Sequence, residues 1–348
     1  MESSMSIVII TIGFALLFDF LNGFHDAANS IAAIVSTRVM KPHWAVLWAA
    51  FFNFIAFLFF GVHVATTIGT GLVDPHVITT QVIFSALLGA IFWNIFTWFY
   101  GLPSSSSHAL IGGLLGASVA YAGIHPLKWV GISKVLAAIV ISPLLGMVIS
   151  MILIVLTARI FFYTNPQRVE GWFRHFQFLS SAFISLGHGS NDAQKTMGII
   201  AILLYSSGML GSHFYVPAWV VILCNFVIAF GTVCGGWRIV KTMGMKITKL
   251  RPLSGFCSDT ASATTLALAT TLGIPVSTTH TVTGAIIGVG SLNGFSAVRW
   301  GVARSIVWAW VLTIPASGCV AAAVWGIAQF FNSDNGIPMY AANLLMRG

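Results

Sequence analysis

Seven stretches of this sequence are too long and too apolar to share one water-soluble core: residues 5–20, 44–66, 82–100, 135–156, 178–186, 219–233 and 305–327. About 20 apolar residues cross the hydrocarbon layer of a bilayer, and these stretches reach that length or come close to it. Charged residues make up 7% of the chain, where a soluble domain carries about 25%. Inside lipid the backbone must satisfy its own hydrogen bonds, which only helices and closed barrels do. The expected fold is therefore all-α: a polytopic membrane protein with about 10–12 membrane segments, too oily for a soluble domain of any size.

The net charge of +8 would suit a nucleic-acid partner if the basic residues formed one patch, but they sit in short gaps between apolar stretches. Arg38 and Lys41 form one group, Arg159, Arg168 and Arg174 a second, and Arg238, Lys241, Lys246, Lys249 and Arg251 a third; Arg299 and Arg304 complete the set. With the first segment running from outside to inside, all four groups become cytoplasmic, as the positive-inside bias requires. Lys128, Lys134 and Arg347 then fall outside. The charge thus reports orientation in a plasma (inner) membrane, with both termini extracytoplasmic, and the lipid bilayer as partner in place of nucleic acid. Cys224, Cys234, Cys257 and Cys319 lack metal-ligand or redox spacing. No short h-region with a cleavage site precedes Met5, so residue 5 onward reads as a retained first helix.

The chain is also a duplication. "GLPSSSSHALIGGLLG" (101–116) aligns with "GIPVSTTHTVTGAIIG" (273–288) at six identical positions of sixteen, and most of the rest exchange Ser for Thr or one aliphatic for another. The same offset of 172 pairs Asn53–Phe54 with Asn225–Phe226, and a slightly shorter one pairs "HDAANS" (25–30) with "NDAQKT" (191–196). Residues 1–160 form the first transmembrane repeat and 176–330 the second. A short cytoplasmic connection, 161–175, joins them, and 331–348 is a C-terminal tail. Each copy reads as a long first segment broken at the Asp motif, a second helix, a third that meets the Gly-x-Pro break, a short helix and a final long one. An odd number of crossings per copy places the second upside down relative to the first. Inverted repeats with interrupted helices and a midplane site are the architecture of many secondary transporters.

At each break proline ends one helix, and the hydroxyl residues that follow are good caps for the next. A helix beginning presents unpaired N–H groups and the positive end of its dipole, which suits an oxyanion. Ser105, Ser106, Ser107, Ser277, Thr278 and Thr279 are the expected ligands of a tetrahedral anion, replacing its lost water. Small hydroxylated residues also let membrane helices pack closely, but both copies carry these at a proline-broken helix. Asp26 and Asp192 lie deep in apolar sequence, each near an asparagine, Asn29 and Asn191. A carboxylate at mid-bilayer costs ~2.5–3.5 kcal/mol on insertion scales, so these residues are expected to hold a coupling cation or carry a proton. A carboxylate that accepts the OH of monohydrogen phosphate tilts the choice from sulfate to phosphate. Asp19, seven residues before Asp26, shares its helical face and reads as a supporting group. Asp259 has no acidic counterpart. His108 and His280 close the two hydroxyl stretches as candidates for proton relay, or as imidazoles bonded within their own helix turn. Gly112, Gly113 and Gly116, echoed at Gly284 and Gly288, read as close helix contacts.

"NGFHDAANSIA", "GHGSNDAQKTMGI" and the two G-x-P-x-S-[ST]-[ST]-H breaks resemble the inorganic phosphate transporter family, specifically its bacterial low-affinity permeases, over about residues 5–330. The resemblance implies inward movement of inorganic phosphate, coupled to protons in some members and sodium in others. Some relatives move sulfate, and bacterial members carry phosphate as a neutral metal complex. It assigns Asp26, Asn29, Asn191 and Asp192 to coupling ion and substrate, and the hydroxyl stretches to phosphate. It implies no resident cofactor or metal; a homo-oligomer is compatible with it. This chain departs from the sodium-coupled pattern: Lys195 stands three residues after Asp192, where the first copy has Asn29. Positions i and i+3 are neighbours on a helix, so the ammonium can fill the space of a bound cation, which favours proton coupling. An intramembrane serine hydrolase needs one activated nucleophile, an oriented base and an oxyanion hole. Twofold repetition of near-equal Ser/Thr-His chemistry argues against that, and the chain is expected not to be an enzyme.

Overall fold

The computed structural model describes residues 2–211 and 213–332, and the regular elements among them are helices. In chain order these are α1 (Glu2–Ser36), α2 (Pro42–Ile55), α3 (His63–Thr70), α4 (Thr80–Tyr100), α5 (Ser106–Ala122) and α6 (Trp129–Ile160). The second copy follows with α7 (Pro166–Ser206), α8 (Ala218–Cys234), α9 (Trp237–Lys241, extended by a wide turn over Thr242–Lys246), α10 (Pro252–Thr271), α11 (Thr278–Ser291) and α12 (Trp300–Asn332). Residues 166–175 of the expected connection are already the opening turns of α7. Arg347 and the tail from 333 lie outside the described residues.

Four helices, α1, α4, α6 and α12, are long and apolar enough to cross a membrane alone. Two bent pairs bring this to six: residues 42–58 with α3, kinked by 81°, and α8 with residues 237–246, kinked by 63°. The polar motifs lie on α1, on α7 and at the starts of α5 and α11, and the two short helices are largely buried. α1 and α7 are continuous through their Asp motifs, over 35 and 41 residues, so the expected break at the Asp motif does not occur. The physical reason is that these motifs place polar side chains toward one another across a helix crossing, which requires no backbone opening. The kink in each copy lies instead after the second helix.

The first helices of the two copies, α1 and α7, run antiparallel. Along α1, contacts to α7 pair Asp19 with Thr196, Ser30 with Ser181 and Thr37 with Gln177. One number rises as the other falls along this crossing. At the Gly-x-Pro breaks, Gly101 and Gly273 adopt φ of +63° and +66°, a conformation that favours glycine. In each, two amides fold back on the helix end: Gly101 to Trp98 and Leu102 to Thr97, matched by Gly273 to Thr270 and Ile274 to Ala269. This is the Schellman ending; Pro103 and Pro275 then prevent the helix from resuming.

The short helices after the breaks are exchanged between copies. α5 packs on α12 and α11 on α6. A Cβ on Gly116 would stand 2.2 Å from the Gly318 carbonyl oxygen, and one on Gly284 2.1 Å from that of Pro143. The glycines are close helix contacts, as the sequence suggests, and they form the same seam twice.

Candidate functional site

The α1–α7 crossing and the beginnings of α5 and α11 meet in one buried polar centre. Ser105 caps α5, its Oγ accepting the His108 amide at 3.2 Å, and Ser277 caps α11 by accepting the His280 amide at 3.2 Å. Each hydroxyl therefore satisfies one amide of its helix beginning and retains its own proton to donate. From α7, Asp192 is wholly buried and fully engaged: Thr278 Oγ1 donates to Oδ2 at 2.7 Å, His188 Nε2 lies 3.1 Å from the same oxygen, and Lys195 Nζ pairs with Oδ1.

Lys195 is one of the largest fully buried side chains in the protein. Besides Asp192, its ammonium donates to Ser107 Oγ and, at 2.8 Å, to the Val276 carbonyl. In the first copy, Asn29 occupies the corresponding place and donates to Thr279 Oγ1 at 3.1 Å. The third residue after each aspartate thus reaches the third hydroxyl of the opposite copy's break. Lysine on one side and asparagine on the other make the pair asymmetric in charge.

Asp26 is held by His25, whose Nδ1 is 2.6 Å from Oδ1 and whose Nε2 lies 3.2 Å from Thr97 Oγ1. Carboxylate and imidazole atoms of Asp26, His188 and Asp192 all fall within 4.8 Å of one another, a spacing on which a small cation could be shared. Several buried atoms here lack a partner among the described residues: Asn29 Oδ1, Ser106 Oγ, Asn191 Oδ1 and both ring nitrogens of His108 and His280. Burying polar groups unpaired costs about 1–3 kcal/mol each. Their concentration around two helix beginnings is chemistry suited to a polar guest.

Not every expected site residue converges equally. Asn191 Nδ2 is occupied by Thr270 Oγ1 at 3.1 Å. His108 and His280 do not bond within their own helix turns; their rings meet edge-on with centroids 4.7 Å apart, and His280 stacks on Trp310 at 3.8 Å. Asp259 lies in a separate polar group, 3.5 Å from the Ser180 hydroxyl. His188 escapes a reading of the sequence, although its i, i+4 spacing to Asp192 was the available signal. So do two clamps. Thr67 on α3 donates to the Gly273 carbonyl at 2.8 Å, and Thr242 on the wide turn donates to that of Gly101 at 2.9 Å. Gln194 Oε1, beside Lys195, accepts from the Val64 amide at the start of α3 at 2.9 Å. Each bent arm therefore grips the break of the other copy.

Residues 22–321 match the phosphate transporter family, and this interval contains every element of the centre. The chain belongs to that family. Among its relatives in the phosphate transporter family is a protein of Rhizobium meliloti (strain 1021), named a probable low-affinity inorganic phosphate transporter. It is 62% identical over 311 residues, covering 89% of this chain and 93% of that protein. A Bacillus subtilis (strain 168) protein of the same name is 41% identical, over 94% of this chain and 98% of its own. A solved structure named the sodium-dependent phosphate transporter superposes with a TM-score of 0.87 at 28% identity, covering 93% of this chain and 99% of that one. As a member of a family of transporters, the chain is a membrane transport protein rather than an enzyme.

Proposed function

We propose that this protein is a proton-coupled symporter that imports inorganic phosphate across the plasma membrane, with both termini extracytoplasmic. The observation that carries the reading is the position of Lys195, bonded at once to Asp192 and to Ser107. Phosphate and Asp192 compete for one ammonium. Protonation of Asp192 releases Lys195 toward an anion bound by Ser106, Ser107, Thr278 and Thr279. Departure of the anion returns the lysine to Asp192 and expels the proton. Binding of the two cargoes is thereby linked without a second cation. Ser105 and Ser277 cap both helix beginnings and can turn their hydroxyl protons toward the anion, and Asn29 and Asn191 supply neutral donors and acceptors. His108 and His280, whose rings meet at 4.7 Å, are the candidates for proton relay beside the anion.

In the sodium-coupled alternative, the cation would lie among Asp26, His188 and Asp192, the grouping described above. Phosphate uptake into proteoliposomes under an imposed pH gradient, with choline replacing sodium, separates the two. Uptake is expected; a strict requirement for a sodium gradient would refute the proton reading. Competition by arsenate but not sulfate is expected in the same assay, because arsenate carries the same proton as phosphate. Equal inhibition by sulfate would make the protein a sulfate permease of the same family. Chelating divalent metals in the assay tests whether phosphate travels free or as a metal complex.

A further inference from the structure

Outside this centre two acids are buried, Asp259 beside Ser180 and Asp19 on α1, and Asp19 has an oxygen without a partner among the described residues. Asp19 is fully buried on α1. Oδ1 accepts the Thr196 hydroxyl at 2.8 Å, while Oδ2 has no partner among the described residues. Asn22, one turn further along the same face, is also fully buried, with both amide atoms unpartnered. Asp26 follows one turn later. Three polar groups at i, i+3 and i+7 thus form a row along α1 that leads into the centre from the end where the chain begins.

The ionisable groups that face Asp19 from neighbouring helices are Asp192 of α7 and the Cys224 thiol of α8. α4 offers only Tyr100 at its far end, and α2 only His43 at its start. Lys195, the cation in this region, is committed to Asp192, Ser107 and Val276. One neutral hydroxyl does not offset a buried carboxylate charge, so the environment suits the acid form or a transient ion.

The duplication discounts a packing role. At the position corresponding to Asp19, the second copy has Ser185, whose hydroxyl returns to the Ser181 carbonyl of its own helix at 2.7 Å. The same crossing is therefore built without a carboxylate, and the acid is an addition on one side only.

We propose that Asp19 is a second protonation site of the transporter, which takes a proton from the extracytoplasmic side and delivers it to the Asp26–Asp192 centre through water oriented by the two unpartnered amide atoms of Asn22. It rests on the proton-coupled reading. The carboxylate gains one proton on loading and returns to the anion when that proton passes inward; no other bond changes.

The test uses full-length protein in proteoliposomes. In Asp19→Asn, accumulation driven by a pH gradient is expected to fall at least tenfold, while labelled-phosphate exchange between equal concentrations continues within about threefold of the parent. Asp19→Glu should restore accumulation. Asp19→Asn that still accumulates phosphate under a pH gradient overturns the proposal. Loss of exchange and accumulation together in both variants also overturns it, by assigning Asp19 to structure. A parent driven only by sodium refutes the coupling reading itself, before any variant is compared.

Discussion

Replacing Lys195 with Asn copies the first half of the protein into the second, since Asn29 holds the equivalent place and reaches the equivalent hydroxyl. The ammonium removed makes three buried bonds, to Asp192, Ser107 and Val276. Taking one partner from a buried ion pair costs about 3–5 kcal/mol, because the remaining charge is left uncompensated. Asp192 then keeps only Thr278 and His188, and the atoms of Asp26, His188 and Asp192 stand close enough to share a cation. A cation supplied at a hundredfold over its dissociation constant returns about 2.7 kcal/mol. Lys195→Asn should therefore be less stable than the parent in choline buffer, and sodium at equal ionic strength should recover about half or more of the loss. The assay is the unfolding free energy of detergent-purified protein in the two salts, with the parent showing no sodium effect. In proteoliposomes, uptake by the variant should become sodium-stimulated and lose its response to the pH gradient. A variant as stable as the parent in choline, indifferent to sodium and still proton-driven, would refute the claim that the lysine fills a cation's space.

Three further outcomes follow from the same geometry. Asp26→Asn and Asp192→Asn should each abolish gradient-driven phosphate accumulation while leaving folded protein in the membrane, as read by uptake alongside size-exclusion profiles; parental accumulation in both would remove the acids from coupling. Ser107→Ala takes away a hydroxyl bonded to a charged group, worth about 1.5–3 kcal/mol, and should raise the phosphate KM roughly tenfold or more, with a smaller rise for Thr279→Ala, whose partner Asn29 is neutral. Gly284→Val should prevent stable insertion, because its Cβ meets the Pro143 carbonyl at 2.1 Å, whereas the same change at Gly301, with open space around it, should leave yield unchanged.

Much of the architecture is legible in the residues because it is written twice. The breaks at 101–108 and 273–280 announce helix ends through proline and helix beginnings through hydroxyls, and both appear where the pattern puts them. The Asp motifs are legible as buried acids, but not as continuous helix: a polar cluster in an apolar segment looks like an interruption until its partner helix supplies the other half. The kinks before α3 and α9 are hidden because their flanking residues, such as Phe60 and Gly61 against Gly235 and Gly236, share no common signature. His188 and the Thr67 and Thr242 clamps depend on which residues face each other across the two copies, and hydrophobic periodicity within one helix carries no such information.

The exchanged seam, α5 against α12 and α11 against α6, means that neither half owns a complete shell. A polypeptide of one half alone would show lipid a groove shaped for a helix it does not possess, and could close that groove only by meeting a second chain inserted the other way up. A gene for half of such a protein would thus yield a working assembly only if its product entered the membrane in both orientations, and fusion through so short a connection fixes that balance at one to one.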